Sequence, residues 1–275
     1  MTQIRQVVGV DFSGGKHAGR AIWLATADVG ERLKLRKLQR LETIAGTPDR
    51  APALACLVDT IAASTHTLWG IDFPFGLPIE MYPDGWPTQL DAVAQWTEGA
   101  KDFGRMLYQR SLDEQGRGHV RRTTDLLTKT PFDCYHYRII YQTFHGMRDV
   151  LRPLRTKPAT AILPFTNPRN PKRIVVETCP SSTLKRLSLP HQNYKQPGGK
   201  PVDDKRHTTR RTIFTGLKNL IDIPPHHRRK AMQDPGGDAL DAIIAAVGTW
   251  HAWQTADHQQ IAKHERASRE GWIYA

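Results

Sequence analysis

Two short apolar runs, each followed by an aspartate, constrain the fold of this chain more than any other feature. Val7 to Val10 precedes Asp11, and Leu68 to Ile71 precedes Asp72. Apolar runs of this length are typical of strands that are buried on both faces. A helix between the two strands would allow them to lie parallel, so we expect both carboxylates at the same edge of one sheet.

The remaining pattern predicts an α/β fold with a mixed five-stranded sheet. Three antiparallel strands joined by short connections come first, parallel strands follow, and helices flank the sheet. The predicted strands are 4–12, 20–27, 33–41, 67–72 and 172–177, with a further short strand suggested at 160–163. The predicted helices are 51–63, parts of 86–115, 134–154, 181–187, 206–221 and the apolar stretch 239–247, with a loop at 224–237.

Three more acids stand where they could join Asp11 and Asp72. Asp238 and Asp241 are three residues apart at the start of the last predicted helix, and Glu177 ends the strand that contains Ile174 to Val176. Residues spaced by three share one helix face, so Asp238 and Asp241 can point at the same ion. Clustered carboxylates repel one another and favour bound cations, and Mg²⁺ prefers oxygen ligands.

Each of these acids also has a purely structural interpretation. Asp72 could shape the turn before Pro74, Asp238 could be the N-cap of the last helix, and Asp241 could add favourable charge to its first turn. Glu177 could form a surface ion pair with one of three nearby cations, Lys172, Arg173 or Lys185. Asp11 is harder to explain this way, because a buried strand rarely ends in an uncompensated acid.

Several motifs resemble those of a known family. The motifs are GVDFSG, GIDFPFGLP, ETCPSSTL, GDALDAIIAA and EGWIY, in that order along the chain. Together they resemble the RNase H-like superfamily, with its Holliday-junction-resolvase branch, and most closely a predicted-nuclease family catalogued as domain of unknown function 429. Cys179 stands where this family often places an aromatic residue.

The resemblance implies a fold and a set of site residues. It implies one RNase H-like domain over residues 1–275, to which we assign insertions at about 79–171 and 190–233. It also implies that Asp11, Asp72, Asp238 and Asp241 are metal ligands and that Glu177 is a fifth acid at the catalytic site.

Positive charge is concentrated in the middle of the chain. Residues 101–230 contain 27 Lys plus Arg against 10 Asp plus Glu, a net charge of +17, whereas the whole chain carries +12. A basic segment next to an acidic pocket suits a polyanion held over metal ions, although a solvated surface would give the same count. The cations expected to line a nucleic-acid path are Arg121, Arg122, Lys129, Lys195, Lys205, Arg206, Arg210 and Arg211.

The sequence therefore predicts a hydrolase, an endonuclease that uses two Mg²⁺ or Mn²⁺ ions to cut DNA or RNA. Two other classes stay open: an ATP-dependent phosphotransferase or ATPase of the actin-like or sugar-kinase type, and a non-catalytic nucleic-acid-binding protein. A homodimer would suit a symmetric junction. No apolar run approaches the roughly 20 residues that a membrane-spanning helix needs, and the start of the chain shows no signal-peptide pattern. We therefore expect a cytoplasmic location without membrane contact.

Overall fold

A computed structural model describes residues 3–275 and contains a mixed sheet flanked by helices on both faces. In this part of the chain the sheet has seven strands in the order β5-β6-β4-β1-β2-β3-β7. Their bounds are β1 Gln6–Asp11, β2 Trp23–Asp28, β3 Leu33–Arg40, β4 Thr67–Asp72, β5 Thr160–Leu163, β6 Arg173–Glu177 and β7 Ile221–Asp222.

The prediction of a mixed α/β sheet is confirmed, but the predicted number of five strands is wrong. β1, β2 and β3 are antiparallel, and β4 and β6 continue the sheet parallel to β1. The two additional strands are short and lie at the sheet edges: β5 pairs with β6, and β7 adds two residues beside β3. β7 lies where the sequence predicted the end of a helix, because two residues are too few to give an alternating pattern.

Helices cover both faces of the sheet. They are α1 Ala18–Ala21, α2 Leu41–Ala45, α3 Arg50–Ala63, α4 Trp86–Gln95, α5 Ala100–Gln115, α6 Thr123–Leu127, α7 Ile140–His145, α8 Arg152–Arg155, α9 Pro180–Arg186, α10 Asp204–Leu217, α11 Pro225–Gln233, α12 Asp238–Thr255, α13 His258–Lys263 and α14 Ala267–Glu270. A π-helical segment, Gly146–Leu151, joins α7 to α8, and Pro197–Gly199 forms one 3₁₀ turn. The expected loop at 224–237 contains α11. Its sequence is mostly polar, so it shows no apolar residues at helical spacing from which a helix could be predicted.

The two faces of the sheet are buried in separate apolar clusters. Val8 and Val10 of β1 contact the cluster that includes residues of α3, α4 and α5, whereas Val7 contacts the cluster that includes residues of α10 and α12. Side chains alternate along a strand, so Asp11 projects to the same face as Val7, the α12 face. The face to which each strand-end acid points therefore follows from its offset in residue number from the buried residues of its own strand. An even offset places both on the same face, and an odd offset places them on opposite faces.

Helix α12 crosses β1 and β4 at two neighbouring glycines. Gly9 and Gly70 are register partners, and a methyl group on Gly9 would lie 2.2 Å from the carbonyl oxygen of Ala242. A methyl group on Gly70 would lie 1.8 Å from the Oγ1 atom of Thr249. Because only glycine allows this close approach, these two positions bring the first turn of α12 next to the ends of β1 and β4.

Among residues 3–275, every helix is too short or too polar to cross a membrane.

Candidate active site

Asp11 and Asp72 lie side by side at the end of the parallel β1–β4 pair. They are register partners in the ladder, as are Gly9 and Gly70 two residues before them. The period of two along a strand therefore places both carboxylates on the face that α12 covers. Asp11 is 8% exposed, and Asp72 is partly buried. The structure thus brings together the two acids that the apolar runs predicted to be neighbours.

Helix α12 adds Asp241 and Asp238 to this position. The backbone amide of Asp241 donates to the carbonyl oxygen of Gly237 at 2.9 Å, which places Asp241 in the first helical turn. The N-cap is Gly237, which has a left-handed φ of 77°, and the side chain of Asp234 accepts from the amide of Ala239 at 3.1 Å. The interpretation of Asp238 as the N-cap is therefore wrong, because Asp234 binds the free amide instead.

The loop between α9 and α10 places a tyrosine and a lysine over these acids. Tyr194 donates its hydroxyl hydrogen to Oδ1 of Asp241 at 2.8 Å, and the Nζ of Lys195 forms an ion pair with Oδ2 of the same carboxylate. Lys195 Nζ is also 3.9 Å from Oδ1 of Asp238. Tyr194 was not among the site residues expected from the sequence, in which a single Tyr within a polar loop gives no distinguishing signal.

Two arginines of α10 hold this loop in place. Arg206 donates to the carbonyl oxygen of Lys195 at 2.8 Å, and Arg210 donates to that of Tyr194 at 2.7 Å. Arg210 is fully buried and also donates to carbonyl oxygens that follow α11, including that of Asp234 at 2.7 Å. The expected nucleic-acid contact of Arg210 is therefore corrected: its guanidinium group connects the Tyr194–Lys195 loop to the segment that precedes α12.

Burial and mutual repulsion raise the pKa values of three carboxyl groups in this cluster. Burial, with the neighbouring carboxylates of Asp241 and Asp238, raises the pKa of Asp11 well above its usual range despite the opposing charge of Lys195. Burial, together with the charge of Asp241, raises the pKa of Asp72 to about 8. The pKa of Asp238 rises to about 6, again mainly through burial. The cluster therefore disfavours full ionisation unless positive charge compensates it.

Lys195 provides such compensation. Desolvation of the ammonium group works against its charge although the side chain as a whole is about half exposed. The carboxylates of Asp241 and Asp11 outweigh this cost and raise the pKa of Lys195 well above its ordinary value. Within residues 3–275, no three His, Cys, Asp or Glu side chains converge closely enough to form a ready-made metal cage. The ammonium group instead lies between the two α12 carboxylates, so a cation already fits this position sterically and electrostatically.

Glu177 lines the same cavity as Asp11 and Asp72, but its side chain turns towards the opposite face of the sheet. It follows Val176, which faces α12, so the period of two turns its side chain towards the opposite cluster. There Arg122 forms two hydrogen bonds to its carboxylate, at 2.6 and 2.8 Å, and the amide of Phe75 donates a third at 2.9 Å. Burial raises the pKa of Glu177 even though Arg122 opposes this. The carboxylate is therefore committed to an internal ion pair.

Arg122 is consequently not a surface cation. It is 0% exposed, and its guanidinium group also binds Asp125 at 2.8 Å. The expected contact of Arg122 with nucleic acid is corrected for the same reason as that of Arg210. The other expected cations keep exposed or partly exposed side chains, and these are Arg121, Lys129, Lys195, Lys205, Arg206 and Arg211. A count of basic residues along the chain does not distinguish the two buried arginines from the cations that remain exposed.

A cavity of about 820 Å³ opens above the acids. Four of the predicted acids line it, and these are Asp11, Asp72, Glu177 and Asp241. Phe132, Arg138, Lys195 and Arg206 also contribute to its walls. Cys179 contributes to the wall as well, and burial raises the pKa of its thiol to about 12. This cysteine therefore stays protonated near neutral pH and is a poor nucleophile.

The geometry defines an α/β protein with an acidic cleft at one sheet edge, lined by carboxylates from two parallel strands and the first turn of a helix. Residues 9–265 match the family model described as "Protein of unknown function (DUF429)", so the chain belongs to this family. No curated protein and no solved structure matched the chain.

Proposed function

We propose that this protein is a metal-dependent nuclease with an RNase H-like catalytic arrangement. The observation that carries the proposal is that Asp11 and Asp72 end neighbouring parallel strands on the face that α12 covers. At the start of α12, Lys195 pairs with Asp241 and lies 3.9 Å from Asp238, so a cation already occupies the space beside these carboxylates. The antiparallel β1–β3 unit, the parallel β4 and helix α12 with two aspartates in its first turn support the same fold assignment.

The donor chemistry of the cleft fits Mg²⁺ or Mn²⁺. Asp11 and Asp72 present oxygen ligands from adjacent strands, and Asp241 and Asp238 present them from α12. Such ions, when bound as a pair, activate a water molecule and stabilise the leaving oxygen in phosphodiester hydrolysis. These acids offer hard carboxylate oxygens, and such a ligand set suits these metals.

The other residues of the cleft orient the acids and the substrate. Tyr194 fixes the carboxylate of Asp241 through its hydroxyl group, and the buried surroundings hold Asp11 rigidly at the sheet edge. Lys195 and Arg206 place positive charge in the cleft, where each can contact a phosphate oxygen. Glu177 acts indirectly. Its ion pair with Arg122, which also pairs with Asp125, fixes the segment around α6 against the end of β6 beside the cleft.

The proposal is tested by incubating the protein with labelled single strands, duplex, RNA–DNA hybrid and a four-way junction in Mg²⁺, in Mn²⁺ and in EDTA. We expect cleavage of at least one substrate only with metal, and a loss of at least about 100-fold in Asp11→Asn because a metal ligand is removed. Asp59→Asn is the matched control, since this exposed acid pairs with Lys157 away from the cleft. Binding without cleavage of any substrate, or cleavage that survives in Asp11→Asn, would contradict the proposal.

A further inference from the structure

An aromatic patch borders the acidic cleft. It consists of Phe132, His136, Tyr137 and Arg138, all in the segment between α6 and α7. The Phe132 and His136 rings are stacked with centroids 4.5 Å apart, and the His136 and Tyr137 rings lie 4.4 Å apart. The guanidinium group of Arg138 lies 5.5 Å from the Phe132 ring centre and 5.8 Å from that of Tyr137. Three rings and one cation therefore form a continuous surface.

This surface is exposed to solvent at its outer end. Tyr137 is 73% exposed, the largest value among the exposed large hydrophobic side chains that the structure describes. Its hydroxyl group accepts a hydrogen bond from Nε of Arg138 at 3.2 Å, which holds the arginine beside the ring. A tyrosine with this exposure contributes little to the stability of the fold, because its ring buries little area. Its outer face is available to a ligand.

The patch is held rigidly from below, although the segment has no regular secondary structure. Asp133 and Tyr135 point inward, where Oδ2 of Asp133 pairs with Nδ1 of His119 at 2.8 Å. The Tyr135 hydroxyl accepts from the amide of Val120 and lies 3.2 Å from the hydroxyl of Ser111. Because the inward residues are anchored, the outward rings are presented in a fixed orientation at little further entropic cost on binding.

Part of the patch lines the acidic cleft, and Tyr137 adjoins that part through Arg138. Phe132 and Arg138 line the same space as Asp11 and Asp72. Positive charge lies nearby, because the partly exposed guanidinium group of Arg121 donates to the carbonyl oxygens of Thr130 and Pro131, which line the cavity. Lys129, the residue before Thr130, has an exposed side chain. A negatively charged chain that reaches the carboxylates therefore passes next to the rings, and this continuity connects the patch to phosphodiester chemistry.

We propose that the aromatic patch stacks an unpaired nucleobase of the nucleic-acid substrate, so that the preferred substrates have unpaired nucleotides beside the scissile phosphate. This inference rests on the proposed nuclease function. Aromatic rings and arginine planes bind bases of any sequence through the base faces. A base inside a duplex has both faces covered by its neighbours, so only an unstacked base can lie on Tyr137.

The test measures binding without cleavage. Oligonucleotides with one 2-aminopurine, placed in a single strand, in a loop or inside a duplex, are titrated with protein in EDTA. Stacking on the patch quenches the fluorescence of the unpaired 2-aminopurine. We expect tighter binding and stronger quenching for the single strand and the loop than for the duplex, and about tenfold weaker binding of both in Tyr137→Leu. Tyr137→Phe keeps the ring and loses only the hydrogen bond from Arg138, so it should bind much more tightly than Tyr137→Leu.

Leu127→Ala is the matched control, because Leu127 is a 60% exposed apolar residue in the same region but carries no ring. Equal binding by Tyr137→Leu and the wild type, or equal quenching in the duplex, would overturn the inference. Equal loss in Leu127→Ala and Tyr137→Leu would also overturn it, because binding would then depend on exposed apolar area and not on the ring. Since no metal is present, these results are independent of whether the cleft cleaves its substrate.

Discussion

Removing the carboxyl group of Asp72 should stabilise the protein in the absence of metal. Burial and the charge of Asp241 raise the pKa of Asp72 from its ordinary value of 3.8 to about 8. Between these two pH values the folded protein binds a proton that the unfolded chain has released. The free energy of unfolding of the wild type therefore falls as the pH rises from about 4 to about 8.

The magnitude follows from the pKa. One pKa unit corresponds to about 1.4 kcal/mol, so at pH 7 the raised pKa of Asp72 costs at most about 4 kcal/mol. Asn has nearly the same shape and does not ionise, so Asp72→Asn removes this cost. We expect a gain of about 2–4 kcal/mol in the free energy of unfolding at pH 7. The gain at pH 5 should be about 40% of the gain at pH 7, because pH 5 lies closer to the ordinary pKa.

Urea denaturation in EDTA at pH 4, 5, 7 and 8.5 measures this dependence. Asp28→Asn is a suitable control, because a hydrogen bond from Arg36 lowers the pKa of Asp28 and the expected effect has the opposite sign. A destabilised Asp72→Asn protein, or a gain that does not change with pH, would refute the view that this cluster is electrostatically strained without metal.

Three further predictions concern the elements that build the cleft. Lys195→Met should lower the metal-free free energy of unfolding by about 1 kcal/mol, since the lysine side chain is half exposed, and Mn²⁺ should restore the melting temperature. Glu177→Gln should cost about 3 kcal/mol in urea denaturation, because Arg122 loses a buried partner, while calorimetric Mn²⁺ affinity stays within about threefold of the wild type. Gly9→Ala should cost about 3 kcal/mol or prevent folding, as measured by circular dichroism, because the new methyl group meets the α12 backbone.

The sequence predicted the two central acids well because strand period and burial are local properties. The apolar runs before Asp11 and Asp72 indicated buried strands, and the glycine two residues before each acid allows α12 to approach. The same alternation could have predicted that the side chain of Glu177 faces away from Asp11 and Asp72. Val176 precedes Glu177 directly and faces α12, so the glutamate must face the opposite side.

Other features depended on tertiary contacts that no local pattern records. Arg122 and Arg210 belong to a basic segment, yet both are buried by partners that are distant in sequence, such as Glu177 and Asp234. The short edge strand β7 exists only because β3 lies beside it. Tyr194 and Lys195 reach Asp241 across the cleft from an irregular loop, and this contact follows from the position of α10.

Direct binding of Mn²⁺ to the cleft tests the central claim, that these carboxylates form a metal site. Electron paramagnetic resonance detects free Mn²⁺ during titration of the wild type, Asp11→Asn and Asp59→Asn. We expect saturable binding by the wild type and Asp59→Asn, and a loss of affinity of at least tenfold in Asp11→Asn. Equal affinity of Asp11→Asn and the wild type, or no saturable binding by either, would contradict the assignment of this cleft as a metal-dependent catalytic centre.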